Sequence, residues 1–495
     1  PNRNMKFSSS FLVPLIHHRR HHISSFNLAK SLRLNTVIRK MSTAADGDRI
    51  IHLNHAGASP SPQSVLDTIM KHLQLEQTKG GYTAAEMARD KLLDVYEQVA
   101  SLLHLNSPGN VHAAQEIALV ESATVAWTRL FYSMAQYQHE WRTKLGKKKS
   151  VLLISEAEYA ANVVAACQWA KKHSEAWTVL SIPSTENING GSSGIVDVSI
   201  LQEMFQGKYT YQQQFGDMVL LDPSDIAMVC ITHVPTNSGI VNPVAEIGKE
   251  IHTFNNIHSN ENPPEENIPP IFYLVDACQS IGQMDIHIEQ LLCHGLVGTG
   301  RKFLRGPRGT GFLYASKDIA NQLMPHHIDH FGVPINHVPA ASQSNKPVES
   351  LIDVQPKEGA ARFEYYESNI ACKLGLGEAI RYARQEIGMS NIQSTCRDLA
   401  LNLYQRLQSM ERVQAYHAPS CGIVTFYVTD TPSEVIKQKL WDGSPKFETS
   451  LVPATSTPLD SSKTQAPNMV RVSVSYTNTP DDIEALFTKL DGILN

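Results

Sequence analysis

Gly298-Thr299-Gly300-Arg301-Lys302-Phe303-Leu304-Arg305-Gly306-Pro307-Arg308-Gly309-Thr310-Gly311-Phe312-Leu313-Tyr314 is the stretch on which the fold turns. It places one lysine in a glycine-rich turn between two short apolar runs. About two dozen residues upstream, Leu274-Val275-Asp276-Ala277-Cys278-Gln279 ends another apolar run on an acid. Working outward, apolar runs of strand length fall at 117–120, 151–154, 179–182, 218–221, 227–232, 271–276, 295–298 and 311–315. Helical patterns lie between them at 121–134, 160–172 and 244–254. Short apolar strands alternating with helices predict an α/β fold with a mostly parallel sheet flanked by helices. Ligands of such sheets collect at the carboxyl ends of strands, where Asp276 and the Thr299–Lys302 turn both fall.

The pattern changes past about residue 345. Helices at 370–387 and 391–409 lead to an alternating strand at 422–428, a helix at 433–440 and a strand at 469–474. Thr479-Pro480-Asp481-Asp482 opens a last helix: Thr caps, Pro suits the first helical position, and the acids favour the dipole. The expected organisation is a large domain over 46–340, whose first part can pack with the second domain, and a smaller C-terminal α+β domain over 345–495. Segments 184–193, 258–270 and 453–468 read as surface insertions rich in Pro, Ser, Thr, Asn or Glu.

Composition narrows the function. The chain has 495 residues, 42% of them hydrophobic, enough for a large core. The net charge of −5 lacks the basic stripe of a nucleic-acid binder. No apolar run approaches a membrane span. Seven scattered cysteines with no C-x-x-C pair read as reduced and buried, not as a disulfide frame or zinc site, and no metal is expected. Residues 1–45 carry Arg, Lys and Ser but no Asp or Glu, and read as an organelle transit peptide or a disordered tail. The expected location is intracellular: mitochondrial or plastid if the tail is a transit peptide, otherwise cytoplasmic.

An acid closing one apolar run and a lysine in a glycine-rich turn before another suit pyridoxal 5′-phosphate (PLP). The lysine forms an imine with the aldehyde, and the acid keeps the ring nitrogen protonated so that the ring accepts electrons. The phosphate needs donors. Ser122, Ala123 and Thr124 follow the 117–120 run and open a helix, whose N-terminus suits an anion. Thr299 and Arg301 offer a hydroxyl and a charge.

Together these motifs resemble the class V aminotransferase family of fold-type I PLP-dependent enzymes, which also holds cysteine desulfurases, isopenicillin-epimerase-like proteins and ergothioneine C–S lyases. The resemblance runs from about Ile51 to the C-terminus. It rests on Leu53-Asn54-His55-Ala56-Gly57-Ala58-Ser59-Pro60, Gly80-Gly81-Tyr82, Asp276-x-x-Gln279, the lysine turn, and Arg471-Val472-Ser473-Val474-Ser475-Tyr476-Thr477-Asn478-Thr479. It implies catalytic roles for Lys302 and Asp276. Tyr159 would stack on the cofactor ring and Gln279 would hydrogen-bond its phenolic oxygen. Arg471 would grip the substrate carboxylate, with Thr236 and Asn237 beside the substrate. Arg305 and Arg308 would either line the entrance or be solvated. A homodimer with active sites at the subunit interface is also implied.

Desulfurases of the family carry a sulfur-accepting cysteine shortly before the arginine equivalent to Arg471. Residues 446–470 contain none. The expected activity is therefore that of a PLP-dependent lyase cleaving a C–S bond at Cβ of an amino acid. Transamination and epimerisation stand as alternatives, and an inert regulatory homologue as the non-enzymatic one. The lysine turn has no G-x-x-x-x-G-K-[ST] pattern, so a nucleotide loop is disfavoured.

Overall fold

The computed structural model describes residues 49–105, 113–186, 192–213, 216–261, 270–335, 346–460 and 468–495. The N-terminal tail and the boundary near 340–345 lie outside them.

Seven strands form the central sheet. In space they run Ile117–Val120, Gly311–Ala315, Gly295–Thr299, Phe272–Asp276, Ile226–Thr232, Ser150–Ser155 and Trp177–Ile182. Gly311–Ala315 is antiparallel to both neighbours, and every other pairing is parallel. The sheet is thus mostly parallel, as the unbroken apolar runs require. Six of its strands are buried at every residue, because helices cover both faces. One core packs Trp127, Leu130, Phe131 and Met134 of the helix Ala123–Lys144 against one face. The other collects Val95, Val99, Ile247, Ile251 and Leu376 against the opposite face.

Two expected elements differ. The 218–221 run forms Met218–Leu220, paired with Thr210–Gln212 in a separate hairpin. It pairs with no strand of the central sheet, and Met218 and Leu220 remain exposed. The helix expected at 121–134 starts at Ala123 and continues to Lys144, because its next turns still bury Ala135, Gln138 and Arg142.

The C-terminal portion forms a four-stranded antiparallel sheet, ordered Val413–Ala415, Ile423–Val428, Met469–Ser473, Ser450–Val452. Leu403, Leu407, Ile436, Leu486 and Leu490 pack on it from three helices. Thr479 and Asp482 form the reciprocal capping box that opens Pro480–Leu494. The chain's first strand, Ile50–His52, pairs with Lys446–Glu448, and Asn54 bridges to Ser473. That pairing carries residues 54–59 to the lysine turn, where Ser59 N–H donates to Arg301 O at 2.8 Å.

Candidate active site

Five turns at the same end of the sheet converge. Those after Val120, Ser155, Thr232, Asp276 and Thr299 lie at carboxyl ends of parallel strands. They enclose a cavity of about 360 Å³, within the usual range of ~300–1,000 Å³ for small-molecule sites. Ten of the twelve expected residues line it: Ser122, Ala123, Thr124, Tyr159, Thr236, Asp276, Gln279, Thr299, Arg301 and Lys302. Lys302 and Asp276 therefore face one cavity.

Lys302 is buried at 8% exposure. Burial depresses its ammonium pKa, with Arg301 and Arg471 adding to the effect; Cys278 and Asp276 oppose it. A neutral amine is the form that attacks a carbonyl carbon. Asp276 accepts from Cys278 N–H and Asn162 Nδ2, each at 2.9 Å. Burial still raises its pKa, so its ionised form gains from a cation placed against it.

At the other end, the Ser122 side chain caps the helix by accepting from Val125 N–H at 3.2 Å. Thr299 Oγ1 accepts from Arg301 Nη1 at 3.1 Å, which holds the guanidinium beside this helix start. A side chain at Gly311 would bring Cβ to 2.7 Å from the Ser122 carbonyl carbon. Glycine lets the last central strand approach the helix N-terminus closely.

Arg471 lies outside the cavity lining and reaches it through Thr236. Nη1 donates to Thr236 O at 3.2 Å and Thr236 Oγ1 at 2.8 Å. It forms no ion pair among the described residues. Burial, then Arg301, pushes its pKa down to about 10. Nε of Arg471 and Oε1 of Gln279 are buried with no hydrogen-bond partner among the described residues. Gln279 Nε2 already donates to Ala56 O and Thr236 Oγ1, so its open atom is an acceptor that a phenolic O–H would satisfy.

These donors fit PLP. A helix N-terminus with three hydroxyls and an arginine suits the phosphate, a buried carboxylate suits a cationic ring nitrogen, and a desolvated lysine suits the aldehyde. Tyr159, 39% exposed at the cavity edge, presents a ring.

Two expectations change. Asn237 does not line the cavity: its Nδ2 donates to Pro453 O and Thr457 Oγ1, each at 3.0 Å. The 453–468 segment lies at the surface as expected, with Pro453, Thr455, Pro458 and Leu459 exposed, and is anchored by the buried Thr457 and Asp460; its residues 461–467 lie outside the described set. Arg305 is neither at the entrance nor solvated. It is buried in left-handed backbone (φ 62°), with Nε on Pro60 O and Nη1 on the Tyr476 hydroxyl. Arg308 is exposed and lines the cavity.

The sequence reading missed Glu158, Asn162 and Cys278. Cys278 lines the same cavity as Lys302, whose charge opposes the upward push of burial on the thiol pKa. The signal available for Glu158 and Asn162 was an acid and an amide four residues apart, at a strand's carboxyl end, in an otherwise small and apolar helix start.

The family model for aminotransferase class-V matches residues 195–486. A probable cysteine desulfurase of Halalkalibacterium halodurans is 24% identical over 389 residues, covering 78% of this chain and 79% of that protein. The apo structure of a cysteine desulfurase from Thermococcus onnurineus superposes with a TM-score of 0.69 at 18% identity, over 90% of this chain and 94% of that one. A cystine C–S lyase, solved with its reaction product cysteine persulfide, gives 0.65 at 17% identity, over 89% and 96%.

Proposed function

Because this chain belongs to the class-V aminotransferase family, a family of PLP-dependent enzymes, we propose that it is a lyase cleaving a C–S bond at Cβ of an amino acid. PLP, when bound, supplies an aldehyde that captures the substrate amine and a protonated ring that stabilises negative charge at Cα.

The chain's own residues do the rest. Lys302 would hold the cofactor through Nζ, and its free amine would take the Cα proton of the substrate. Asp276 holds the ring nitrogen protonated. Ser122, Thr124, Thr299 and Arg301 hold the phosphate. Arg471 pairs with the substrate carboxylate, and Thr236 orients that arginine. The Cβ–S bond breaks with its electron pair leaving on sulfur, which takes a proton. Water then hydrolyses the remainder, so a substrate R–S–CH2–CH(NH3+)–COO− and one water give R–SH, pyruvate and ammonium.

One observation carries the lyase over the desulfurase reading: the segment leading to Arg471, residues 446–470, holds no cysteine to accept sulfur. Cys421 cannot replace it. It is buried, its thiol lies against Gly239 O, and burial pushes its pKa up to about 12. A homodimer is part of the proposal. Exposed apolar side chains at Tyr82, Met87 and Leu93 support it.

Purified protein loaded with PLP should release pyruvate and ammonia from cystine or cysteine conjugates with no keto acid present. Borohydride should fix the cofactor onto wild type but not onto Lys302→Ala. Product formation that requires an added keto acid would establish transamination instead.

A further inference from the structure

Beside Asp276 lies a second buried carboxylate that the reaction above does not use. Glu158 is 0% exposed. It accepts from Ser155 Oγ at 2.9 Å, Asn162 Nδ2 at 2.7 Å, Thr232 N–H at 2.8 Å and the Thr232 hydroxyl. The same Asn162 Nδ2 donates to Asp276 Oδ2 at 2.9 Å. One amide therefore ties the two carboxylates together.

The donor set favours one form of Glu158. The amide and the backbone N–H can only donate, and the two hydroxyls also point at the carboxylate. Four donors on two oxygens suit the acceptor-only ionised group. Burial works the other way and pushes the pKa up to about 7, with Asp276 contributing in the same direction. No cation offsets Glu158: it has no salt bridge among the described residues. Its other titratable neighbours, Cys230 and Tyr273, both have raised pKa values, chiefly through burial, and stay neutral. Two like charges sharing one amide disfavour each other unless a cation arrives.

We propose that Glu158 is a positioning residue: through Asn162 it fixes the orientation of Asp276, and as a second buried anion it strengthens the hold of that site on the ring proton of PLP. The inference rests on the cofactor reading above. A neutral ring accepts electrons poorly, so a residue that secures the proton supports the reaction without touching substrate.

The test uses PLP labelled with 15N at the ring nitrogen, loaded into wild type, Glu158→Gln and Asn162→Ala. The 15N resonance is followed across the pH range in which each protein stays folded. Both variants are expected to lose the ring proton at lower pH than wild type, by about one unit or more for Glu158→Gln, the scale of a charge a few ångströms away. In the lyase assay kcat falls while KM holds. Should Glu158→Gln fail to fold, Asn162→Ala carries the test, since it cuts the link and leaves Glu158 its other three donors. Lower cofactor occupancy with an unmoved 15N titration overturns the inference, because a merely structural residue gives that result. A wild type that binds no PLP removes the cofactor reading itself, an outcome visible before either variant is made.

Discussion

One guanidinium nitrogen of Arg471 donates to both the carbonyl and the hydroxyl oxygen of Thr236, at 3.2 and 2.8 Å. The first residue starts from a strand of the C-terminal sheet. The second lies in the turn after a central strand. Their contact aims a buried cation without neutralising it, leaving its charge for an anionic substrate group. Arg471→Lys keeps the charge and loses the fork. KM for the amino acid is expected to rise about 10- to 100-fold, corresponding to a charged hydrogen bond of ~1.5–3 kcal/mol. Thr236→Val should raise it less, since the carbonyl still accepts. An unchanged KM in Arg471→Lys would remove the arginine from the substrate site.

Asp276→Asn keeps the shape and removes the charge. Breaking one partner of a buried ion pair costs about 3–5 kcal/mol. The variant should therefore retain PLP on gel filtration far less well than wild type, and kcat should fall by two orders of magnitude or more. Asp276→Glu, checked by the same gel filtration and kcat, should recover part of the loss. Full retention and full kcat in the asparagine variant would show that the ring nitrogen is held by another group.

Much of this arrangement was legible because its signals are local. Strands buried on both faces must be apolar throughout, so Phe272–Asp276 and Gly311–Ala315 stand out as runs. The lysine turn is punctuated by glycines that only a tight approach requires. Thr479-Pro480-Asp481-Asp482 announces its helix start by residue type alone, and the structure adds the reciprocal bond to Asp482. What escaped depends on distant partners. Met218–Leu220 is as apolar as a core strand, and only its pairing with Thr210–Gln212 places it outside the central sheet. Arg305 shows nothing local to separate a solvated arginine from one buried on Pro60 and Tyr476. Asn237 is drawn away by Pro453 and Thr457, more than 200 residues later. Glu158 matters through an amide that also reaches Asp276, a link between two separate strand ends.

Acid should destabilise the protein partly through His233. Burial holds this imidazole neutral, with a pKa lowered to about 4 from an ordinary 6.5. The folded form therefore binds its proton more weakly than the unfolded chain. Its contribution is intact above about pH 6.5 and is lost as pH falls towards 4, by at most about 3 kcal/mol. Glu158 runs in the opposite sense. Its raised pKa of about 7 gives stability present below its ordinary 4.5 and lost as pH rises through 7. Melting temperatures of wild type and His233→Gln, compared at pH 7 and pH 4.5, should differ in slope, the variant losing less on acidification. Parallel curves would mean that His233 titrates normally.

Gly309 and Gly311 predict opposite outcomes for the same substitution. Gly309 adopts φ 76°, with no atom within 4 Å of an added Cβ. Gly309→Ala should cost only the left-handed backbone penalty of ~1–2 kcal/mol, visible as a lower melting temperature, with PLP affinity unchanged. Gly311 is not left-handed, yet its Cβ would meet the Ser122 carbonyl carbon at 2.7 Å and Ala123 N at 3.0 Å. Those are backbone atoms of the helix start assigned to the phosphate, and they can yield only by moving that turn. Gly311→Ala should lower stability by about 1–3 kcal/mol and also weaken binding of PLP and of inorganic phosphate, measured by calorimetry. If Gly311→Ala binds both as tightly as Gly309→Ala, the turn at Ser122–Thr124 is not where the phosphate sits.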